Sequence, residues 1–372
     1  MAGLAEARRD ARARGVDVID LGAGDSDLAP PPAAVSELSA SLSDPETSRY
    51  PFQLGLPAFR ETVAAFMSSR FGVAVDPYSE LLPLIGSKEG IAKLPLAVLD
   101  PGDVAIMPDP GYQAYFGGVT FAGGEPWAVP LRPEHDFLIP WDDVPASVLK
   151  RTRLLFINYP NNPTAATAPD DWIRETVEIC REYRIVLAHD HAYSEVAFDG
   201  YRPRSVLEFD GADEVAVEFH SLSKTFNMTG WRLGWVAGRA DVVARLTRVK
   251  TFMDTGVFKA VQAAGVAALE SHGGWVPANI QIFQERRDAA VDGLRTSGFD
   301  VESPRATMYL WVPVPGGGPS VDFARRAFDE QGVVVVPGAA LGAGGEGFFR
   351  IALTLPSARL RQAADRLGDL LA

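Results

Sequence analysis

From about residue 80 onward, short apolar runs alternate with stretches of helical period. The runs lie at 81–85, 104–107, 154–157, 185–188 and 215–219. Most lack the apolar–polar alternation of a half-exposed strand. Strands covered on both faces read this way, which predicts a mainly parallel sheet between helix layers. Ahead of them, the pattern predicts a helix over 4–14 that stops at Gly15, then a short strand over 17–21. The Pro30-Pro31-Pro32 run predicts an extended connection. A further helix has Pro57 in its first turn, carries Phe59, Val63, Phe66 and Met67 on one side, and ends near Gly72. After residue 255 the character changes. Long helices come first, through Leu269 and again over 280–295. A second α+β block follows, with apolar runs at 309–312 and 333–336 around a Gly316-Gly317-Gly318 turn. The last helix repeats apolar residues at Leu360, Ala363, Ala364, Leu367 and Leu371, a core-facing stripe. The expected architecture is α/β, with a large domain over 36–255 and a smaller α+β domain assembled from both chain ends, 1–35 and 256–372.

Composition narrows the class. The 372 residues are 47% apolar and 22% charged, as in a globular protein of about two packed domains. Low hydrophobicity and high charge do not coincide, so disorder is not expected. No apolar run approaches the roughly 20 residues of a membrane helix. The mixed charges near residues 6–10 do not suit a signal peptide. The single cysteine, Cys180, excludes an internal disulfide and a cysteine-rich metal site, and fits a reducing cytoplasm. A net charge of −13 argues against broad nucleic-acid binding.

In open α/β sheets, ligands bind beyond the carboxyl ends of the strands. Here those ends carry Gly86-Ser87-Lys88, Pro108-Asp109-Pro110-Gly111-Tyr112, Asn158-Tyr159-Pro160-Asn161-Asn162-Pro163, His189-Asp190-His191-Ala192-Tyr193 and His220-Ser221-Leu222-Ser223-Lys224. Gly86-Ser87 opens a helix directly after a strand, which suits a phosphate or merely caps the helix. Ser221, Ser223 and Arg232 can add donors to the same anion. Lys224 sits behind two serines and before Thr225-Phe226-Asn227-Met228-Thr229-Gly230-Trp231-Arg232. Such an amine can form a Schiff base if its neighbours lower its pKa, or it is a solvated lysine. Asp190 ends a buried-looking strand and needs a cationic partner, either a protonated pyridine nitrogen or a salt-bridging side chain.

Two rivals fit poorly. Gly22-Ala23-Gly24 follows a strand as a dinucleotide fingerprint would, but the third glycine position is Asp27 and prolines follow in place of a helix. His189 and His191 share one face of a strand with Asp190 on the other, and His135, His220 and His272 lack ligand spacing, so a metal hydrolase is not expected. Most of the aromatic residues, the seven tryptophans among them, fall in helix or strand patterns and read as core rather than as an interaction module.

At these residues the sequence resembles the class I/II aminotransferases, pyridoxal-phosphate enzymes of fold type I. The stretch Ser221-Leu222-Ser223-Lys224-Thr225-Phe226 with Gly230-Trp231-Arg232-Leu233-Gly234 is similar to the family's cofactor-lysine motif. Asn162-Pro163-Thr164, Asp190-His191-Ala192-Tyr193, Tyr50-Pro51 with Gly55-Leu56, and Phe349-Arg350-Ile351 match in order. The resemblance implies that Lys224 bonds the cofactor and shuttles the proton. It implies that Asp190 keeps the pyridine nitrogen protonated, and that Asn162 and Tyr193 hydrogen-bond the ring's phenolic oxygen. Tyr112 would stack on the ring. Ser87, Lys88, Ser221, Ser223 and Arg232 would surround the phosphate, with Tyr50 reaching it from a second subunit. Arg350 would grip the substrate α-carboxylate, with Gly24, Asn162 and Tyr112 also bordering the substrate.

The implied reaction moves an α-amino group from an amino acid to a 2-oxo acid in a cytoplasmic homodimer with shared sites, without metal, nucleic acid or membrane. The nearest subgroup resembles the LL-diaminopimelate aminotransferases and their aspartate-aminotransferase-like relatives, through Gly86-Ser87-Lys88-Glu89-Gly90-Ile91, the 158–165 stretch and Asp254-Thr255-Gly256. Diaminopimelate, aspartate and glutamate are therefore the expected donors. A lyase, cyclase or decarboxylase on the same fold, and a non-catalytic ligand-binding protein, are the alternatives. Ala165 stands where many relatives have glycine, and Met308 where an aromatic is usual near the substrate side. The chain is also expected to lack the N-terminal arm that many relatives lay across the active-site mouth.

Overall fold

The computed structural model describes residues 2–52 and 54–371. Among the described residues twelve strands form three sheets: β1 (Ile19–Asp20), β2 (Leu81–Leu84), β3 (Val104–Asp109), β4 (Glu125–Pro130), β5 (Thr152–Ile157), β6 (Val186–Asp190), β7 (Ala216–Ser221), β8 (Gly234–Gly238), β9 (Tyr309–Pro313), β10 (Val333–Val334), β11 (Val336–Pro337) and β12 (Phe348–Ala352). The main sheet has seven strands in the order β2-β8-β7-β6-β5-β3-β4. Pairing is parallel from β7 through β4, while β8 runs antiparallel to both its neighbours. Because β8 alone is reversed, the carboxyl ends of β2, β3, β5, β6 and β7 all reach one edge.

Side chains alternate between the faces of this sheet. Ala105 and Met107 of β3 join one core with Tyr115, Phe156 and Ala188, while Val104 and Ile106 join another with Leu155, Leu187 and Trp172. Helices on both faces cover it, which is why the strands read as continuous apolar runs. The two strands outside that reading have their own reasons. β4 is an edge strand that tolerates Pro126 and Pro130. β8 begins and ends on glycine and reads as a continuation of the lysine stretch.

The extended connection expected at Pro30-Pro31-Pro32 is shorter than the prolines suggest. Pro32 is the first residue of the helix Pro32–Ser41, where a missing N–H costs nothing. The helix Pro57–Phe71 ends as expected on Gly72, whose φ is 72°. In the last helix, Ser357–Gly368, Leu360, Ala363, Ala364 and Leu367 are buried, but Leu371 lies past the helix end and is exposed.

The second unit is a three-stranded antiparallel sheet, β11-β12-β9, with β1 pairing β10 alongside. Its core joins Ile19 and Leu21 to Phe349, Val312 and Leu360, so both chain ends meet there. Met308 is fully buried in this core, in the same cluster as Tyr193 and Tyr309. Ala264 and Ala268 of the helix Lys259–Glu270 pack instead with Phe59 and Leu222 against the main sheet. The helix His272–Thr296 touches both cores, through Val276 at one end and Phe283 and Leu294 at the other.

Candidate active site

The carboxyl edge of the main sheet converges on one crevice. Cross-strand register places Ser221 of β7 opposite Gly234 of β8, and Gly234 opposite Leu84 of β2. That alignment brings the turn Gly86-Ser87, the serines and Arg232 together. Ser87 starts the helix Ser87–Val98 with its N–H groups free of side-chain caps. A Cβ at Gly86 would run into the Arg232 guanidinium, and Gly86 has φ 72° and ψ 153°, a conformation that favours glycine strongly. Free helix N–H groups, a guanidinium and hydroxyls form an anion cradle. Ser221 and Ser223 are buried beside it, Ser221 Oγ accepting from Ser223 N at 3.2 Å. Lys88 is exposed, its Nζ 5.6 Å from the Tyr112 ring centroid.

Lys224 follows β7 in the short helix Leu222–Thr225, and its Nζ donates to the Gly24 carbonyl oxygen. Asp190 closes β6 and is buried. One carboxylate oxygen accepts from the Tyr115 hydroxyl at 2.9 Å, while the other is buried with no side-chain partner, and the Ala192 backbone N–H faces the carboxylate. Burial raises the Asp190 carboxyl to about 6, opposed by the Tyr115 bond and the nearby His189. A buried carboxylate with an unclaimed oxygen calls for a cation. Tyr112, near Asp190 and Arg232, is pushed up to about 12 by burial first and by the Asp190 charge second. Asn158 orders the loop that carries Asn162. Its Nδ2 donates to the Asp190 carbonyl at 2.6 Å, and its Oδ1 accepts from Asn162 N at 2.8 Å. In the same loop Ala165 has φ 60°, a left-handed conformation that favours glycine.

From the second unit, Arg350 of β12 donates from Nη1 to Asn162 Oδ1 at 2.7 Å and from Nη2 to the Gly22 carbonyl at 2.9 Å. Its Nε is buried and unpartnered. Tyr193 donates to the Tyr309 hydroxyl at 3.1 Å. Of the residues singled out in the sequence, Tyr50 alone stands apart, 69% exposed. Three residues of the site were not found by sequence reasoning: Tyr115, Asn158 and Tyr309. Tyr115 lies one helical turn from Tyr112, and Asn158 opens the Asn-Tyr-Pro-Asn-Asn-Pro loop; both signals were available. Tyr309 is brought in only by the closing of the second sheet.

His189 at the end of β6 and His191 just beyond it share one face as expected, but His220 joins them. His189 and His191 stack at 4.4 Å, and with Glu218 they offer ligand atoms within 4.8 Å of one another. The Glu218 carboxylate is already engaged by Ser205 Oγ and Val206 N, each at 2.8 Å, and by His189 and His220 at 2.8 and 2.7 Å. His189 is tied at its other nitrogen to the Tyr159 carbonyl. The cluster is a hydrogen-bonded knot between strands, distinct from the crevice.

An anion cradle, a reactive amine, a buried carboxylate with one oxygen unclaimed and a guanidinium fork in one crevice fit pyridoxal phosphate carrying an amino acid. The model for aminotransferase class I and II matches residues 16–367, and the chain belongs to that family. It is a pyridoxal-phosphate-dependent aminotransferase. Among curated proteins it is 49% identical over 358 residues to the LL-diaminopimelate aminotransferase of Syntrophobacter fumaroxidans, covering 96% of this chain and 92% of that one. It is 45% identical over 370 residues to the enzyme of that name from Nitratidesulfovibrio vulgaris, covering 99% and 95%. Among solved structures it is similar to a probable N-succinyldiaminopimelate aminotransferase from Thermus thermophilus, at 38% identity, TM-score 0.94 and 99% coverage of both chains.

Proposed function

We propose that this aminotransferase takes its amino group from LL-diaminopimelate and passes it to a 2-oxo acid. The identities of 44–49% to eight curated LL-diaminopimelate aminotransferases support that donor over aspartate or glutamate. The observation that carries the site assignment is the unclaimed buried oxygen of Asp190, in the crevice that Lys224 and Arg350 also enter. When bound, pyridoxal phosphate supplies an aldehyde for an amine and a ring that withdraws electrons from the substrate Cα.

The chain's residues do the rest. Ser87, Ser221, Ser223, Arg232 and Lys88 hold the phosphate, with Tyr50 contributed by a second copy. Asp190 would hold a proton at the ring nitrogen, and Tyr112 would stack on the ring. Asn162 and Tyr193 donate to its phenolic oxygen. Lys224 Nζ carries the proton to and from the substrate, and Arg350, with Asn162 and the Gly24 backbone, orients the α-carboxylate.

A cytoplasmic homodimer completes the proposal. Pro51 and Phe52 lie against Gly256, and Tyr50, Phe52, Leu54, Phe252, Met253 and Phe258 are exposed, an apolar surface suited to a second copy. No helix among the described residues is long and apolar enough to cross a membrane. We also propose a two-domain division, 36–255 against 1–35 with 256–372; Ala264 sharing a core with Phe59 supports a seam nearer the helix His272–Thr296.

A panel of amino donors, read by the loss of the yellow absorbance and release of a keto acid, tests the function. LL-diaminopimelate should be turned over fastest. Preference for aspartate would overturn the donor, and pyruvate with ammonia would make the protein a lyase. Borohydride should fix the cofactor to a peptide containing Lys224; a labelled peptide lacking it would overturn the site.

A further inference from the structure

Tyr309 has no role in the reading above, yet it touches both halves of the site. It opens β9 and is 3% exposed. Its ring lies beneath the substrate fork, with the Arg350 guanidinium carbon 4.2 Å from the ring centroid. Its hydroxyl pairs with Tyr193 at 3.1 Å. The same hydroxyl presses so close to Gly24 that a Cβ there would overlap it, and Gly24 is the residue whose carbonyl holds Lys224. Burial alone would raise the Tyr309 phenol, but Arg350, Lys224 and the bond from Tyr193 bring it below its usual value.

We propose that Tyr309 is a positioning residue that couples the Arg350 carboxylate fork to the hydrogen bond Tyr193 makes with the cofactor. Two properties of a phenol carry this. A hydroxyl has one proton, and Tyr193 spends it on Tyr309 in this structure. Once Tyr193 points that proton at the ring's phenolic oxygen, the bond between the tyrosines must reverse, with Tyr309 as donor. Tyr309 then fixes the Tyr193 hydroxyl in its donating orientation. Meanwhile its ring keeps the guanidinium plane in place by cation–π contact. The inference rests on the reading that Tyr193 bonds the cofactor, so the test includes Tyr193 itself.

Removing the hydroxyl and removing the ring should give different results. In cofactor-loaded Tyr309→Phe, the pH midpoint of the visible chromophore should rise by about half a unit to one unit, the equivalent of one neutral hydrogen bond. Its kcat should fall, while KM for the amino donor stays within about twofold, because the ring remains. Tyr309→Leu should show the same spectral shift and also raise KM roughly 3- to 30-fold, the range of a cation–π contact converted at a factor of ten per 1.4 kcal/mol. Tyr193→Phe should shift the chromophore at least as far as Tyr309→Phe. If Tyr193→Phe leaves the chromophore unmoved, the reading of Tyr193 fails and this inference with it. If Tyr193→Phe shifts it but Tyr309→Phe titrates as wild type, the inference alone is overturned. An unchanged KM in Tyr309→Leu would sever the link to Arg350.

Discussion

At the scale of single residues, the site is governed by charges that burial makes costly. Asp190 holds its proton up to about 6 without a cation beside it, against an ordinary value of 3.8. A carboxyl raised in the folded state contributes its full stability below the unfolded value, and that contribution is lost as pH rises through the folded one. The cofactor-free protein should therefore lose stability between pH 4 and pH 7 relative to Asp190→Asn, by on the order of 2 kcal/mol. Urea unfolding of both proteins at pH 4.5 and 7.5 measures this, and a parallel response would show that the carboxylate has a partner in solution. Arg350 answers to the same logic. Arg350→Ala should lower kcat/KM for the amino donor by about 2–5 kcal/mol, since it strands a desolvated carboxylate. Arg350→Lys should recover little, because an ammonium cannot present two parallel donors. Steady-state kinetics on the two variants decide the point; an unaltered kcat/KM would place the carboxylate elsewhere.

At the scale of elements, the cradle depends on one backbone conformation between β2 and the helix Ser87–Val98. Gly86→Ala would force a side chain into a region of backbone space costing about 1–3 kcal/mol, and would push its methyl at Arg232. Affinity for pyridoxal phosphate should drop about tenfold or more, with the fold retained; a fluorescence titration measures it, and unchanged affinity would move the phosphate away from this turn.

The same element was legible in the sequence because a glycine and a serine directly after an apolar run leave few alternatives. The parallel strands were legible for a similar reason: runs such as 154–157 are apolar on both faces because helices cover both. What escaped depended on distant partners. Pro32 reads as a breaker unless the chain before it is known to be non-helical. Trp235 and Val236 show no period of their own between flanking glycines. Tyr309 cannot be distinguished from core until β9 pairs with β12 and swings its ring under Arg350.

At the scale of the whole molecule, one chain leaves apolar surface uncovered. Phe252 is 81% exposed and Phe52 64%, close to Tyr50. If the proposed homodimer forms through this surface, a Phe252→Glu, Phe258→Glu double variant should run as a monomer in sedimentation velocity where the unaltered protein runs as a dimer, and activity should fall with the dimer fraction. Full activity in a monomeric preparation would exclude Tyr50 from the site of a neighbouring copy.

The attachment of Arg350 to Asn162 and to the Gly22 carbonyl has a wider consequence. Its guanidinium is kept partly satisfied by oxygens of the chain itself. An arriving anion exchanges one oxygen partner for another, so simple salts such as chloride or acetate gain little from the swap. Small ions of the medium should therefore compete only weakly with the amino donor, and a molecule offering a second point of attachment should displace the internal partners far better; strong inhibition by acetate would contradict this.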